Sequence, residues 1–157
     1  MPADVVTPAV RSRMMAGIRG KNTKPELAIR SALHGMGFRY RLHRKDLPGR
    51  PDIVFPRFRA VILVHGCFWH GHGCDLFRWP SIRADFWRSK ISRNIERDRT
   101  QHAALIAAGW RVGTVWECAM KGSTRLPFQE VVQRCALWLR SDVQIEEIKG
   151  NAARASR

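Results

Sequence analysis

Cys67, His72 and Cys74 place two thiols and an imidazole in one short stretch with the spacing C-x4-H-x-C. The surrounding residues 66 to 80 mix glycines, histidines and aromatics without a helical or strand period, so the segment reads as a loop that needs bracing. Thiolates and imidazoles suit Zn2+, which in structural sites takes four tetrahedral N and S ligands. The missing ligand must come from a distant part of the chain, and Cys118, just past the stretch Trp110 to Trp116, is the best candidate. Four unrelated buried cysteines are the plain alternative, and Cys135, on the apolar face of the last helix, suits the core.

A second chemistry lies in Pro51-Asp52 and Val64-His65. Mg2+ keeps several waters and takes oxygens from a substrate phosphate, so the Asp52 carboxylate and one backbone carbonyl, that of Val64, would suffice to hold it. His65 and His70 can then orient or deprotonate an attacking water, since an imidazole titrates at ~6.5, close to working pH. The plain reading of a Pro-Asp pair is turn chemistry.

These residues need a scaffold. Thr7-Pro8 opens a short basic helix that ends near Gly20, and Thr23 with Glu26 frames a capping box that starts a second helix running to Gly37. Phe38 to Leu42 alternates like a half-exposed strand, Leu47 to Pro51 turns, and Asp52 to Phe55 is the next strand. Arg59 to His65 is apolar without alternation, as a central strand covered on both faces would be. A long helix follows from Ser81 to Ala108, then a strand from Trp110 to Trp116, then a helix after Pro127 with Val131, Val132, Cys135 and Trp138 on one face. The order α-α-β-β-β-α-β-α predicts an α/β domain, a small mixed sheet flanked by helices. It spans residues 1–149, with 1–22 as a basic helical arm and 150–157 as a disordered tail.

The chain has 28 Lys and Arg against 13 Asp and Glu, a formal charge of +15 over 157 residues. That excess favours a polyanion, nucleic acid ahead of a membrane surface. No apolar run is long enough to span a bilayer and the start has no signal-peptide pattern, so the expected location is the cytoplasm.

The strings Pro48-Gly-Arg-Pro-Asp52, His65-Gly-Cys-Phe-Trp-His70, Asn94-Ile-Glu-Arg-Asp98 and Gly109-Trp-Arg-Val, followed by Val115-Trp-Glu-Cys118, closely resemble the very short patch repair (Vsr) DNA mismatch endonucleases, from about Arg11 to Gly122. The resemblance implies a restriction-endonuclease-like fold that nicks double-stranded DNA at T·G mispairs left by deaminated 5-methylcytosine. It implies a monomer, with mismatch-repair proteins as possible partners. It further implies Asp52 as the Mg2+ carboxylate, His65 and His70 as water-positioning and general-base residues, and Glu26 and Asp98 as supporting acids. A structural zinc on Cys67, His72, Cys74 and Cys118 is implied as well. The chain departs from the family at Val64, where the family has Thr, and at Gly71, where the family's run has His.

Phe68 and Trp69 suit an aromatic wedge inserted into the base stack, with Trp87 as its third member by resemblance and Met15 filling the same step from the opposite groove. Plain alternatives stand beside several of these assignments. Glu26 can be only a capping-box residue, Asp98 one charge on a solvated helix, Trp87 and Met15 core side chains. The rival function is a non-catalytic zinc-containing DNA-binding module, which has no use for Asp52, His65 and His70 together.

Overall fold

The computed structural model describes residues 23–152. The expected basic helix after Thr7, and Met15 on it, lie outside the described residues. Helix α1 (Lys24–Gly35) starts where the sequence places it, with the Thr23 hydroxyl accepting from the Glu26 N–H at 3.4 Å and proline in the first turn. Only half of the capping box forms: the Glu26 side chain turns inward and is buried. Gly37, at φ +96°, reverses the chain, and the Phe38 N–H returns to the Leu33 carbonyl at 3.1 Å. Phe38 is thereby driven into the core, so the expected strand over Phe38–Leu42 shrinks to β1 (Arg41–Leu42).

Strands β2 (Ile53–Phe55), β3 (Ala60–His65), β4 (Arg111–Trp116) and β5 (Ile145–Ile148) complete a mixed sheet in the order β1-β2-β3-β4-β5. The pairs β1–β2 and β2–β3 are antiparallel, whereas β3–β4 and β4–β5 are parallel. A parallel neighbour needs a crossover, and helices α2 (Ala84–Ala107) and α3 (Phe128–Leu139) provide the two. Helix α2 begins later than the expected Ser81, because Arg83 holds a left-handed φ of 54° just before it. Strand β5 is not anticipated by the sequence pattern.

The period of two along the strands sorts the core. Ile53, Phe55, Ala60 and Ile62 face one cluster with Ile29 and Leu33 of α1 and Val131, Cys135 and Trp138 of α3. Val54, Val61 and Val112 face the other with Leu105 of α2 and Trp110. Central β3 is therefore covered on both faces, as its unbroken apolar run predicts. Trp138 lies flat against β4, where a Cβ at Gly113 would come within 2.8 Å of its ring.

Arg111 closes this arrangement. Its guanidinium donates to the carbonyls of Phe58, Trp138 and Leu139 at 3.1, 3.0 and 2.8 Å and packs 5.0 Å from the Trp138 ring. It satisfies carbonyls that the end of α3 leaves without helical partners. Arg111→Ala is expected to cost about 2–3 kcal/mol, read as a fall in melting temperature, because several acceptors lose one shared donor. Arg111→Lys should recover only part of the loss, since an ammonium cannot reproduce the planar fork.

Candidate active site and metal centre

The C-terminal end of β3, the loop that follows it, and one face of α2 border an open groove. Asp52 enters β2 beside β3 and accepts the Val64 N–H at 2.8 Å. Burial pushes its carboxyl up to about 6, with the nearby Glu26 carboxylate adding to the rise and the Val64 N–H opposing it. Glu26 is fixed on two sides, by Arg30 Nη1 at 2.7 Å and His43 Nε2 at 3.2 Å. Ligand atoms of Glu26, His43 and Asp52 lie within 4.8 Å of one another, a spacing that can hold a cation. His43 belongs to no motif in the sequence. It reaches the site because its backbone is left-handed, φ 48°, and its N–H donates to the Asp52 carbonyl at 3.3 Å.

A second cluster stands beside it. His65 and His70 stack face to face, with centroids 3.8 Å apart and planes 4° from parallel. Asp98, on α2, takes His70 Nδ1 at 2.5 Å, which leaves Nε2 as the nitrogen able to accept a proton. Burial, and then the neighbouring His70, drive His65 down to about 3, so it is neutral at working pH. Asn94, one helical turn before Asp98, donates to the Trp69 carbonyl at 2.9 Å. Both therefore face the loop, and Asp98 is not a solvated charge.

The Cys67, His72, Cys74 and Cys118 ligand atoms also lie within 4.8 Å of one another. His72 Nδ1 is 3.6 Å from the sulfurs of both Cys67 and Cys118. An N and an S bound to one tetrahedral zinc stand ~3.5 Å apart, so the donor set and its spacing fit that ion. Burial pushes both thiols up, and two backbone N–H groups oppose it: Cys118 N donates to the Cys67 sulfur and Gly150 N to the Cys118 sulfur, each at 3.3 Å. Gly150 must lack a side chain, since a Cβ there would sit 2.4 Å from the Cys118 carbonyl. The Asn151 N–H then bonds the Thr124 carbonyl at 2.7 Å. Cys135 stays in the core with α3.

Three further residues escaped the sequence reading. The Trp116 ring lies over His72 at 4.0 Å and donates its N–H to Glu147 at 2.7 Å; Glu147 stands 4.0 Å from His72 Nε2. Glu117 accepts the Cys67 N–H at 3.3 Å. Only Trp116 and Glu117 carried a signal, as members of the Val115-Trp-Glu-Cys118 string. Gly71 has φ +61°, and a Cβ there would meet the tip of the Ile95 side chain at 2.6 Å, so the loop passes close over α2 and the His that the family carries here would strain the backbone and displace that tip.

Phe68 packs edge-on to Trp69 and Trp87, at 5.2 and 5.3 Å between centroids, and Trp69 lies tilted against Trp87 at 5.7 Å. All three are half-buried, so Trp87 joins the loop aromatics rather than the sheet core.

A helix-flanked mixed sheet that carries a buried carboxylate and a carboxylate-held imidazole on one groove fits the restriction-endonuclease-like fold. The family model described as DNA mismatch endonuclease Vsr matches residues 3–76. The type II nicking enzyme V.XorIIP of Xanthomonas oryzae pv. oryzae is 56% identical over 117 residues, 74% of this chain and 86% of that protein. The DNA mismatch endonuclease Vsr of Escherichia coli K12 is 44% identical over 137 residues, 87% of this chain and 88% of that protein. The type II nicking enzyme V.NmeAIP of Neisseria meningitidis is 43% identical over 118 residues, 75% and 84% of the two chains. The chain belongs to the Vsr DNA mismatch endonuclease family and is an endonuclease. Among the described residues, no helix is long and apolar enough to cross a membrane.

Asp52 makes the site costly to fold. Its folded carboxyl titrates near 6 and the unfolded one at ~3.9, so the unfolded state releases its proton first and stability falls as pH rises between about 4 and 6. A rise of that size corresponds to about 2–3 kcal/mol at neutral pH. Without added Mg2+, Asp52→Asn should therefore melt higher than the parent near pH 7 and lose that pH dependence. Equal melting temperatures across the range would show that the charge costs nothing.

Proposed function

We propose that this chain nicks one strand of double-stranded DNA at T·G mismatches in the presence of Mg2+, which would initiate very short patch repair. The observation that carries this reading is the loop after β3, which holds His70 for bond cleavage and Phe68 and Trp69 for probing a base pair, a few residues apart. The names of the relatives support it, since they are mismatch and nicking endonucleases.

Asp52 and the Val64 carbonyl are the residues that would hold Mg2+, whose bound charge would offset negative charge developing on the phosphate. The chain's own groups supply the remaining chemistry. Asp98 fixes His70 with Nδ1 toward the carboxylate, so Nε2 can take the proton from an attacking water. Neutral His65, stacked on His70, orients that imidazole without adding a competing charge. Arg30 and His43 hold Glu26 toward Asp52, where its carboxylate supports the cation site. Basic residues along the groove, Lys90 and Arg97 among them, meet phosphates. Zn2+ on Cys67, His72, Cys74 and Cys118 would brace the loop that carries His70, and takes no part in cleavage.

The expected assay is nicking of labelled matched and T·G duplexes in Mg2+ or EDTA. The T·G strand is cut only with Mg2+. Asp52→Asn should abolish nicking while leaving DNA affinity near the parent value, and His70→Ala should slow turnover on the order of 10²–10⁴-fold. Near-normal cleavage by Asp52→Asn would overturn the assignment, and binding without cleavage by the parent chain would favour a zinc DNA-binding module.

Two further expectations separate the parts. One zinc should copurify and be lost in Cys118→Ser but kept in Cys135→Ser, as metal analysis would read. Phe68→Ala/Trp69→Ala should narrow the T·G to T·A cleavage ratio by well over tenfold, because stacking is worth ~1–3 kcal/mol per base. Zinc content should not change in that variant. A preserved ratio would place recognition elsewhere, on the helix carrying Lys90 and Asn94.

A further inference from the structure

Beyond the loop, the chain shows large apolar side chains to solvent: Trp79 is 43% exposed, Ile82 55% and Phe86 40%. Isolated exposed hydrophobics need no explanation, but these adjoin one another in sequence and two of them share a second feature. Arg88 lies over the Trp79 ring at 5.0 Å and Arg83 over Phe86 at 4.4 Å. Arg83 does so from the left-handed turn that opens α2. The patch is continuous with the aromatic wedge. Trp79 packs edge-on to Phe77 at 4.9 Å and Phe77 contacts Phe68 at 6.0 Å, while Phe86 packs on Trp87 at 5.2 Å.

The charge around these rings selects the occupant. From Leu76 to Lys90 the chain has four bases, Arg78, Arg83, Arg88 and Lys90, against one acid, Asp85. An apolar protein partner would gain from the rings and lose from desolvating the guanidinium groups, whereas a DNA duplex offers apolar deoxyribose faces beside phosphates. We propose that Trp79 and Phe86, with Arg88 and Arg83 over their faces, form a second DNA-binding platform that grips the duplex beside the mispair. This rests on the reading of the groove as a DNA cleft and adds a separate division of labour. The wedge senses the pair, and the platform holds its flank without regard to pairing.

The test is equilibrium binding, without Mg2+, of fluorescent matched and T·G duplexes to the zinc-loaded full chain. Trp79→Ala and Trp79→Ala/Phe86→Ala should bind both duplexes several-fold more weakly, with the T·G to matched ratio unchanged. Arg83→Gln/Arg88→Gln should flatten the dependence of log affinity on log salt by about one to two units of slope. Because these side chains lie outside the thiol and imidazole cluster and the sheet core, zinc content should stay at the parent value and the melting temperature should fall only slightly. Affinity within twofold of the parent for both aromatic variants would overturn the platform, and so would a changed T·G to matched ratio, which would make these rings part of the wedge. A parent chain that binds no duplex would overturn the DNA-cleft reading together with it. A parent that nicks, beside aromatic variants that bind as it does, would overturn the platform alone.

Discussion

Residues 66 to 80 carry His70, the loop aromatics and three of the four thiol and imidazole ligands, held locally only by isolated turn bonds such as His70 N–H to the Gly66 carbonyl at 3.2 Å and His72 N–H to the Cys67 carbonyl at 2.9 Å. A loop with turns but no sheet ladder has to borrow further rigidity. Here it borrows from three directions: Glu117, just past β4, takes the Cys67 N–H; Asn94 and Asp98 on α2 hold the Trp69 carbonyl and the His70 ring; and Cys118 closes the thiol and imidazole cluster. Each anchor is the end of an element whose position is set by the sheet. The parallel β3–β4 pair runs from Ala60↔Arg111 to His65↔Trp116, so His65 and Trp116 leave the sheet side by side and Cys118 lands beneath the loop. The site depends on that register, since a slip of one residue would turn His65 to the other face of the sheet.

The groove shows the usual tension between folding and chemistry. Asp52 is buried enough for its carboxyl to titrate near 6, and His65 is buried enough to stay neutral. Neither helps the chain fold. The cost is met elsewhere, by a core in which both faces of β2 and β3 are filled and by Arg111, which ties together the turn before β3, the start of β4 and the end of α3. The proposed activity and the stability thus rest on different residues, which lets the groove stay polar and open.

Legibility in the sequence followed physical range. The Cys67, His72, Cys74 spacing and the apolar run of β3 are local patterns, and both survive into the fold. Glu26 was ambiguous because a capping box and an inward carboxylate look the same along the chain; only its contacts with half-buried Arg30 and His43 show that the carboxylate points inward. His43 itself was invisible, since its approach to Glu26 depends on a left-handed residue that no periodicity signals. Strand β5 was missed because Ile145-Glu-Glu-Ile148 pairs two apolar with two acidic residues at the edge of the sheet, where one face meets solvent. With it went Glu147, which reads as a surface acid until Trp116 and His72 are seen beside it.

The placement of Asn94 and Asp98 lets one helix hold both the imidazole and the aromatic rings to which the proposed function gives cleavage and base-pair sensing. They are four residues apart on α2, and therefore on one face with a separation fixed by the helical rise. Asn94 holds the backbone of Trp69 and Asp98 holds the ring of His70, so the aromatic tip and the imidazole are referred to the same rigid rod. The pair of anchors fixes distance as well as direction, which a flexible loop could not do through its own bonds. Trp87 adds a third point on that helix by packing against both Phe68 and Trp69. A base pair probed by these rings would then stand at a set offset from the phosphate presented to His70, and the offset is a property of α2 rather than of the loop.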